Sequence, residues 1–145
     1  MSELTPPLRE FLDSQRVGVL ATLSAAGRIR QSPVYYVRDR EQVLISTLAA
    51  RYKTSDVEHS GWASLCVMGQ EPPYPSLTLA GPAHIRTEDI GPATAAIAQR
   101  VTGADEPPEP ASDETLAAVG RVILAISMQQ IGPVSYIAEE LAEPG

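Results

Sequence analysis

The stretch "VGVLATLSAAGRIRQSPVYYV", residues 17–37, contains two apolar segments separated by a short polar turn. The first segment, Val17–Ser24, is rich in β-branched and apolar residues, and the second, Arg28–Val37, resumes the same pattern. The "AAGR" between them includes Gly27, a residue type that tight turns favour. The two segments are therefore predicted strands that form a β-hairpin.

Further strands follow this hairpin in mostly hairpin order, with short helices between them. Strands are predicted at residues 43–47, 62–69, 76–87 and 121–137 (the last as two strands or one bent strand, broken at Gly132-Pro133), and helices at residues 8–14, 49–60, 92–101 and 113–119. Strands and helices do not alternate as a doubly wound sheet requires. The pattern predicts an α+β protein with an antiparallel sheet closed or nearly closed into a barrel. A length of 145 residues fits a single domain, residues 1–145.

Three positions within the predicted strands lead to more specific expectations. Pro33 lacks a donor in mid-strand, which indicates an edge, a bulge or a point where a ligand replaces the ladder partner. Gly81-Pro82 predicts a bulge or an edge in the long strand at residues 76–87, for the same reason. Cys66, between Leu65 and Val67, is predicted to be a buried small hydrophobic residue.

Composition and charge limit the classes of function. The net charge of −7 argues against non-specific binding to nucleic acid or to an anionic membrane surface. No apolar run approaches the roughly 20 residues of a membrane-spanning helix, and the N-terminus does not resemble a signal peptide. With one cysteine, neither an internal disulfide nor a cysteine-rich metal site is expected. These features predict a cytoplasmic protein.

The only lysine in the chain, Lys53, lies where the third strand gives way to a helix. A helix N-terminus presents unpaired N–H groups, and Arg51 and Lys53 add a guanidinium and an ammonium, so together they would suit a phosphate. The alternative is that both are solvated residues with Asp56 or Glu58 as surface partners. The sequence "SDVE" from Ser55 onward fits a capping box, which would assign Ser55 to the helix.

The second strand offers another candidate surface. Alternation along a strand places Arg28, Arg30, Ser32, Val34 and Tyr36 on one face. Two arginines and a serine on that face could line a pocket for an anion. The alternative is a hairpin end that points into water.

The order of "VGVLATLSAAGRIRQSPVYYV", "VLISTLAARYKTSDV" and "ASLCV", followed by a strand with a central glycine, resembles a known family. It is similar to the split β-barrel flavoproteins related to pyridoxamine 5′-phosphate oxidase, and within them to the actinobacterial branch that includes users of the deazaflavin coenzyme F420. The resemblance covers roughly residues 17–85. It implies a split barrel with short flanking helices and a homodimer with cofactor sites at the subunit interface.

The resemblance also implies roles for individual residues. By position, Arg51 and Lys53 would bind the cofactor phosphate, with Ser46 and Thr54 as supporting donors. The remaining implied contacts, to the ring system or the ribityl chain, are Arg30, Ser32, Pro33 and Val34. Pro33 departs from the pattern, because it stands where deazaflavin users place a polar ring contact. The choice between F420 and FMN therefore stays open.

The function that the resemblance implies is hydride transfer between reduced F420, or FMN, and a small conjugated organic substrate. No nucleophile-plus-base set, phosphate-binding loop or zinc spacing is recognisable, so no catalytic or metal-ligating residue is predicted. A flavoenzyme needs none, since the cofactor carries the reaction. The alternative is a non-catalytic protein of the same fold that binds or stores FMN, F420 or haem. Pyridoxamine phosphate oxidase activity itself is not expected, because "QQIGPVSYIAEEL" lacks that enzyme's arginine and histidine pattern.

Overall fold

A computed structural model describes residues 4–137. Within this range, eight strands form one antiparallel sheet, and four helices flank it. The strands are β1 (Val17–Leu23), β2 (Ile29–Tyr35), β3 (Val37–Asp39), β4 (Gln42–Leu48), β5 (Trp62–Met68), β6 (Ser76–Arg86), β7 (Arg121–Ser127) and β8 (Gln130–Ser135). The helices are α1 (Pro6–Ser14), α2 (Tyr52–Ser60), α3 (Gly91–Thr102) and α4 (Asp113–Ala118). Among residues 4–137, no helix is both long and apolar enough to cross a bilayer.

The order of the strands explains why the sheet curls. Hydrogen-bonded neighbours follow the order β2-β1-β5-β6-β7-β4-β3, and β8 pairs additionally with β6. β2 and β3 stand at opposite ends of this order, yet only Tyr36 separates them along the chain. The sheet must therefore curl round until its two end strands approach each other. The result is the predicted antiparallel split β-barrel of the α+β class, and β2 is an edge strand, as Pro33 indicated.

Tyr36 anchors the point where the two ends of the sheet meet. Its side chain is fully buried, and its hydroxyl donates a hydrogen bond of 2.5 Å to the carbonyl oxygen of Leu12 in α1. Its backbone N–H donates to the carbonyl oxygen of Arg16. Burial raises the pKa of Tyr36 well above its usual value, so the phenol stays neutral and keeps its proton for this bond.

Two clusters of apolar side chains form the core. The larger fills the barrel, and the smaller lies between the β3–β4–β7 part of the sheet and the helices α3 and α4. β7 is buried on both faces because it contributes to both clusters, Leu124 and Ile126 to the larger and Ile123 and Ala125 to the smaller. Burial on both faces accounts for the continuous run of apolar residues in β7, whereas buried and exposed residues alternate in strands such as β1 and β5.

The outer face of β1, β2 and β5 remains uncovered. Leu65 and Val67 point into the barrel, so the alternating side chains of β5 point outward, and Cys66 is exposed. The prediction of a buried cysteine was therefore wrong. The large apolar side chains exposed on this outer face are Val17, Val19, Leu23, Ile29, Tyr35, Trp62 and Met68. We call this set, with Pro33 and Cys66, the outer apolar face.

The Gly81-Pro82 step is not a break, because β6 continues through it from Ser76 to Arg86. On one side β6 pairs with β5 up to Pro82, and on the other its partner changes from β8 to β7. The N–H of Ala83 donates to the carbonyl oxygen of Gly61 on the β5 side. The nitrogen of Pro82 therefore faces the other side of β6, at the point where the neighbouring strand changes from β8 to β7 and no backbone hydrogen bond is required. A proline is tolerated there for that reason. The register shift in β6 lies elsewhere, between Leu77 and Leu79.

Two local expectations need correction. α2 begins at Tyr52, with Arg51 as its N-cap, so Ser55 lies inside the helix and the predicted capping box is not formed. The end of α2 agrees with the prediction, because Gly61 adopts a left-handed conformation and its N–H donates to Val57. The interruption in the C-terminal strand pair lies between Ser127 and Gln130, while Gly132-Pro133 is part of β8.

Candidate functional site

A large cleft lies where the barrel is split. It has a volume of about 600 Å³ and opens between β2 and β4, beneath one face of α3. β2 contributes Ser32, Pro33, Val34 and Tyr35; β4 and the turn into α2 contribute Ser46, Thr47, Leu48, Arg51 and Lys53; α3 and β7 contribute Thr94, Ile97, Ala98, Val101 and Arg121. This volume is within the usual range for a small-molecule or cofactor site.

Three cationic side chains gather at one end of the cleft, around Leu48. The backbone N–H of Arg51 donates to the Leu48 carbonyl oxygen, and the β4–β7 register places Arg121 directly opposite Leu48. Lys53 follows in the first turn of α2, whose start has no side-chain cap. Two cations on the α2 side and one on the β7 side therefore line the same cleft near one helix N-terminus, an arrangement that favours an anion.

The cations at this end have no carboxylate partner in the described part of the chain. The ion pairs among residues 4–137 are Arg30 with Asp56 and Arg38 with Asp13. Asp56, a surface partner considered for Arg51 and Lys53, is buried, and its two oxygens accept from Thr22 at 2.8 Å and Arg30 at 3.1 Å. The positive charge at the cleft is thus not neutralised by the neighbouring helix residues. In a chain of net charge −7, this is a local reversal of sign.

Arg30 lies outside the cleft. Its guanidinium forms the ion pair with Asp56 and lies 4.9 Å from the centre of the Tyr52 ring, and the Lys53 ammonium lies 5.7 Å from the centre of the same ring. The guanidinium therefore supports the first turn of α2 from outside and does not face the cleft. Arg28, on the same face of the hairpin, is exposed.

Thr54 also lies outside the cleft lining. It is buried, and its hydroxyl donates to the carbonyl oxygen of Leu48 at 2.8 Å, which ties α2 to the end of β4. Ser46 does line the cleft, where its hydroxyl accepts from Arg121 at 3.4 Å. Of the eight predicted site residues, the structure gathers six around one cleft: Ser32, Pro33, Val34, Ser46, Arg51 and Lys53.

Sequence reasoning missed one wall of the cleft and one of its cations. α3 presents Thr94, Ile97, Ala98 and Val101, a spacing of i, i+3, i+4 and i+7 that defines one helical face and could have been recognised as a second stripe. No pattern in the sequence around Arg121 indicated that it would line the cleft. The β4–β7 pairing brings it to Ser46 from 75 positions away in the chain.

Comparisons with known proteins agree with this architecture. The sequence profile of a family described as pyridoxamine 5′-phosphate oxidase matches residues 4–131. No curated protein sequence matches significantly.

Solved structures share the fold at low sequence identity. A conserved hypothetical protein from Mycobacterium tuberculosis is 21% identical, with a TM-score of 0.70 over 90% of this chain and 82% of that one. An F420 reductase is 20% identical, with a TM-score of 0.69 over 86% of this chain and 94% of that one. A heme binding protein from Mycobacterium smegmatis is 20% identical, with a TM-score of 0.70 over 90% of this chain and 53% of that one. Because the family profile spans most of the sequence, this chain belongs to the pyridoxamine 5′-phosphate oxidase family.

Proposed function

We propose that this protein is an oxidoreductase that binds coenzyme F420, or FMN, in the cleft and transfers a hydride between it and a small conjugated organic substrate. The observation that carries the proposal is the convergence of Arg51, Lys53 and Arg121 at one end of a 600 Å³ cleft. Both cofactors have an extended ring system and a phosphate, so they match a long cleft with one cationic end.

The residues present fit such a group. Arg51 and Lys53 would hold the phosphate, with Arg121 and the Ser46 hydroxyl as additional donors. Ser32, Pro33 and Val34 on β2 would contact the ring or the ribityl chain from one side, and the α3 residues Ile97, Ala98 and Val101 from the other.

The cleft lining supplies binding and orientation. Within residues 4–137 it contains no histidine, aspartate or glutamate, so no described lining side chain is placed to act as a carboxylate or imidazole base. A bound F420 or FMN would supply the hydride-transfer chemistry. The chain's contribution is to hold the phosphate, to orient the ring and to exclude water with the α3 wall.

The choice of F420 over FMN is the finer part of the proposal. An F420 reductase is among the similar structures, and the resemblance of the sequence is to the branch that includes F420 users. Titration of the purified protein with each cofactor tests this choice. Saturable quenching of F420 fluorescence with weak FMN binding is the expected result, whereas failure to bind either cofactor would overturn the proposed function.

A non-catalytic binding protein is the second candidate, favoured by the heme binding protein from Mycobacterium smegmatis among the similar structures. Among residues 4–137, the cleft lining includes no histidine, cysteine or methionine, so Tyr35 is the side chain there that could ligate a haem iron. Assay of the F420-loaded protein with a panel of quinones, enones and tetrapyrroles separates the two candidates. Oxidation of the reduced cofactor by any of them supports the oxidoreductase, and inertness across the panel supports binding alone.

The proposal includes a homodimer formed through the outer apolar face. Pro33 and Tyr35 belong both to this face and to the cleft, so a second copy seated on it would complete the edge of the site. Burial of this many large apolar side chains also offers the area and composition of a stable homodimer interface.

Val19 lies in the middle of this face, paired with Pro33 on β2 and Cys66 on β5, and is 41% exposed. Val19→Glu is expected to convert the dimer to a monomer in analytical ultracentrifugation, because it would bury a carboxylate without a partner at the interface. Val119→Glu, at a 65% exposed position just after α4, is the matched control and is expected to leave the dimer intact. A monomeric wild-type protein, or a Val19→Glu variant that remains dimeric, would contradict this part of the proposal.

A further inference from the structure

A second depression adjoins the cleft. It has a volume of about 370 Å³ and shares two lining residues with the cleft, Tyr35 and Val101. Its other lining residues come from the end of α1, the start of β1, the loop after β5 and the end of α3: Ser14, Gln15, Arg16, Val17, Gln70 and Arg100.

The two depressions meet at Tyr35 on β2 and Val101 on α3. Val101 is the last α3 residue of the cleft lining, seven residues, or roughly 10 Å, from Thr94. A ligand that lies in the cleft against Tyr35 and Val101 would therefore also border the second depression.

The lining of the second depression is positively charged. In the described part of the chain it includes two arginines and no acidic residue. Arg100 is held in place by backbone carbonyl groups, since its guanidinium donates to the carbonyl oxygens of Gln15 and Asp13. These contacts fix the guanidinium without neutralising it.

Arg16 is the exposed cation of the pair. It lines both the second depression and an adjoining one that includes Gly103 and Asp13, and its guanidinium lies 3.3 Å from the position that a Cβ would take at Gly103. The carboxylate of Asp13 is already paired with Arg38. Neither ion pair within residues 4–137 involves Arg16. Its planar group is therefore available for a ligand, and it suits the two oxygens of a carboxylate.

We propose that the second depression binds a carboxylate group of the substrate, with Arg16 as its main contact and Arg100 adding positive charge. This inference rests on the proposed function and deepens it, because it names the substrate class as a conjugated carboxylic acid. The conjugated part would lie against Tyr35 and Val101, where the depression meets the cleft. The acid group would determine which conjugated molecules bind.

The test compares a matched pair of probes, cinnamate and its neutral amide cinnamamide, by NMR titration of the wild-type protein and of Arg16→Gln. Wild-type protein is expected to bind cinnamate about tenfold more tightly, with the largest shifts at the amides of residues 16, 17 and 70, and Arg16→Gln is expected to abolish this preference. Arg28→Gln removes another exposed arginine, at the far end of the β1–β2 hairpin, and this variant should keep the preference for cinnamate. Equal affinity for the two probes, or a preference that survives in Arg16→Gln, would overturn the proposal.

Two further measurements separate this inference from the proposed function. The probe titration needs no cofactor, so a cinnamate preference that depends on Arg16 would stand even if neither F420 nor FMN binds. F420 also carries carboxylates on its own oligoglutamate tail, which FMN lacks. If Arg16→Gln weakens F420 binding and leaves FMN binding unchanged, the depression holds that tail, and the assignment to the substrate is overturned.

Discussion

Replacement of Arg51 and Lys53 together by alanine is expected to weaken binding of the phosphorylated cofactor by about 100-fold or more. Hydrogen bonds to a charged group contribute roughly 1.5–3 kcal/mol each, so Lys53→Ala alone should weaken binding roughly 10-fold to 150-fold. The effect should be large because the two cations have no carboxylate partner within residues 4–137, so neither is already neutralised. Isothermal titration calorimetry with F420 and with FMN measures it.

The matched control for this experiment is Arg28→Ala combined with Arg40→Ala. This variant removes the same net charge from two exposed positions that do not line the cleft. It should lower affinity only by the small amount that a change in overall charge produces. Equal losses in the two double variants would mean that the cations act through the general field of the protein. An unchanged affinity in the Arg51 and Lys53 variant would remove the phosphate assignment.

Gly81→Ala is expected to lower the free energy of unfolding by about 3 kcal/mol or more. A Cβ at this position would lie 1.8 Å from the carbonyl oxygen of Ser127, so the backbone of β6 or of the β7–β8 connection would have to move. The new Cβ would clash with a backbone oxygen, and a change of side-chain rotamer moves neither atom. Urea denaturation followed by circular dichroism measures the loss.

Gly27→Ala provides the comparison for Gly81→Ala. It adds the same methyl group where nothing lies within 4 Å, at a left-handed φ of 80°. Its expected cost is about 1 kcal/mol, from the backbone conformation alone. If Gly81→Ala costs no more than Gly27→Ala, the close approach of β6 to Ser127 does not constrain the fold.

The strands and most helices could be predicted because their signals are local. Alternation of apolar residues and the turn at Gly27 define the first hairpin, which spans Val17 to Tyr35, whereas Val37 belongs to β3. Pro33 indicated an edge, a bulge or a ligand contact, and β2 lies at the edge of the sheet. Cys66 was misplaced because its neighbours Leu65 and Val67 occupy the inner face of β5, which leaves Cys66 on the outer face.

The site could be predicted only in part, because a cleft depends on long-range pairing. Arg51 and Lys53 were recognisable from an unusual cluster of cations at a predicted strand–helix junction. Arg30 was assigned to the same surface, but the buried carboxylate of Asp56 holds it outside the cleft. Arg121 joins the site only through the register of β4 with β7, which no short stretch of sequence encodes.

The account depends most on the phosphate at the junction of β4 and α2. The direct test is calorimetric titration of wild-type protein with FMN and riboflavin, which differ only in the phosphate, and with F420 and the corresponding deazaflavin, which lacks both the phosphate and the oligoglutamate tail. The account predicts that the phosphorylated member of the relevant pair binds at least about 100-fold more tightly, since it gains charged contacts to Arg51 and Lys53. Equal affinities within both pairs would contradict it.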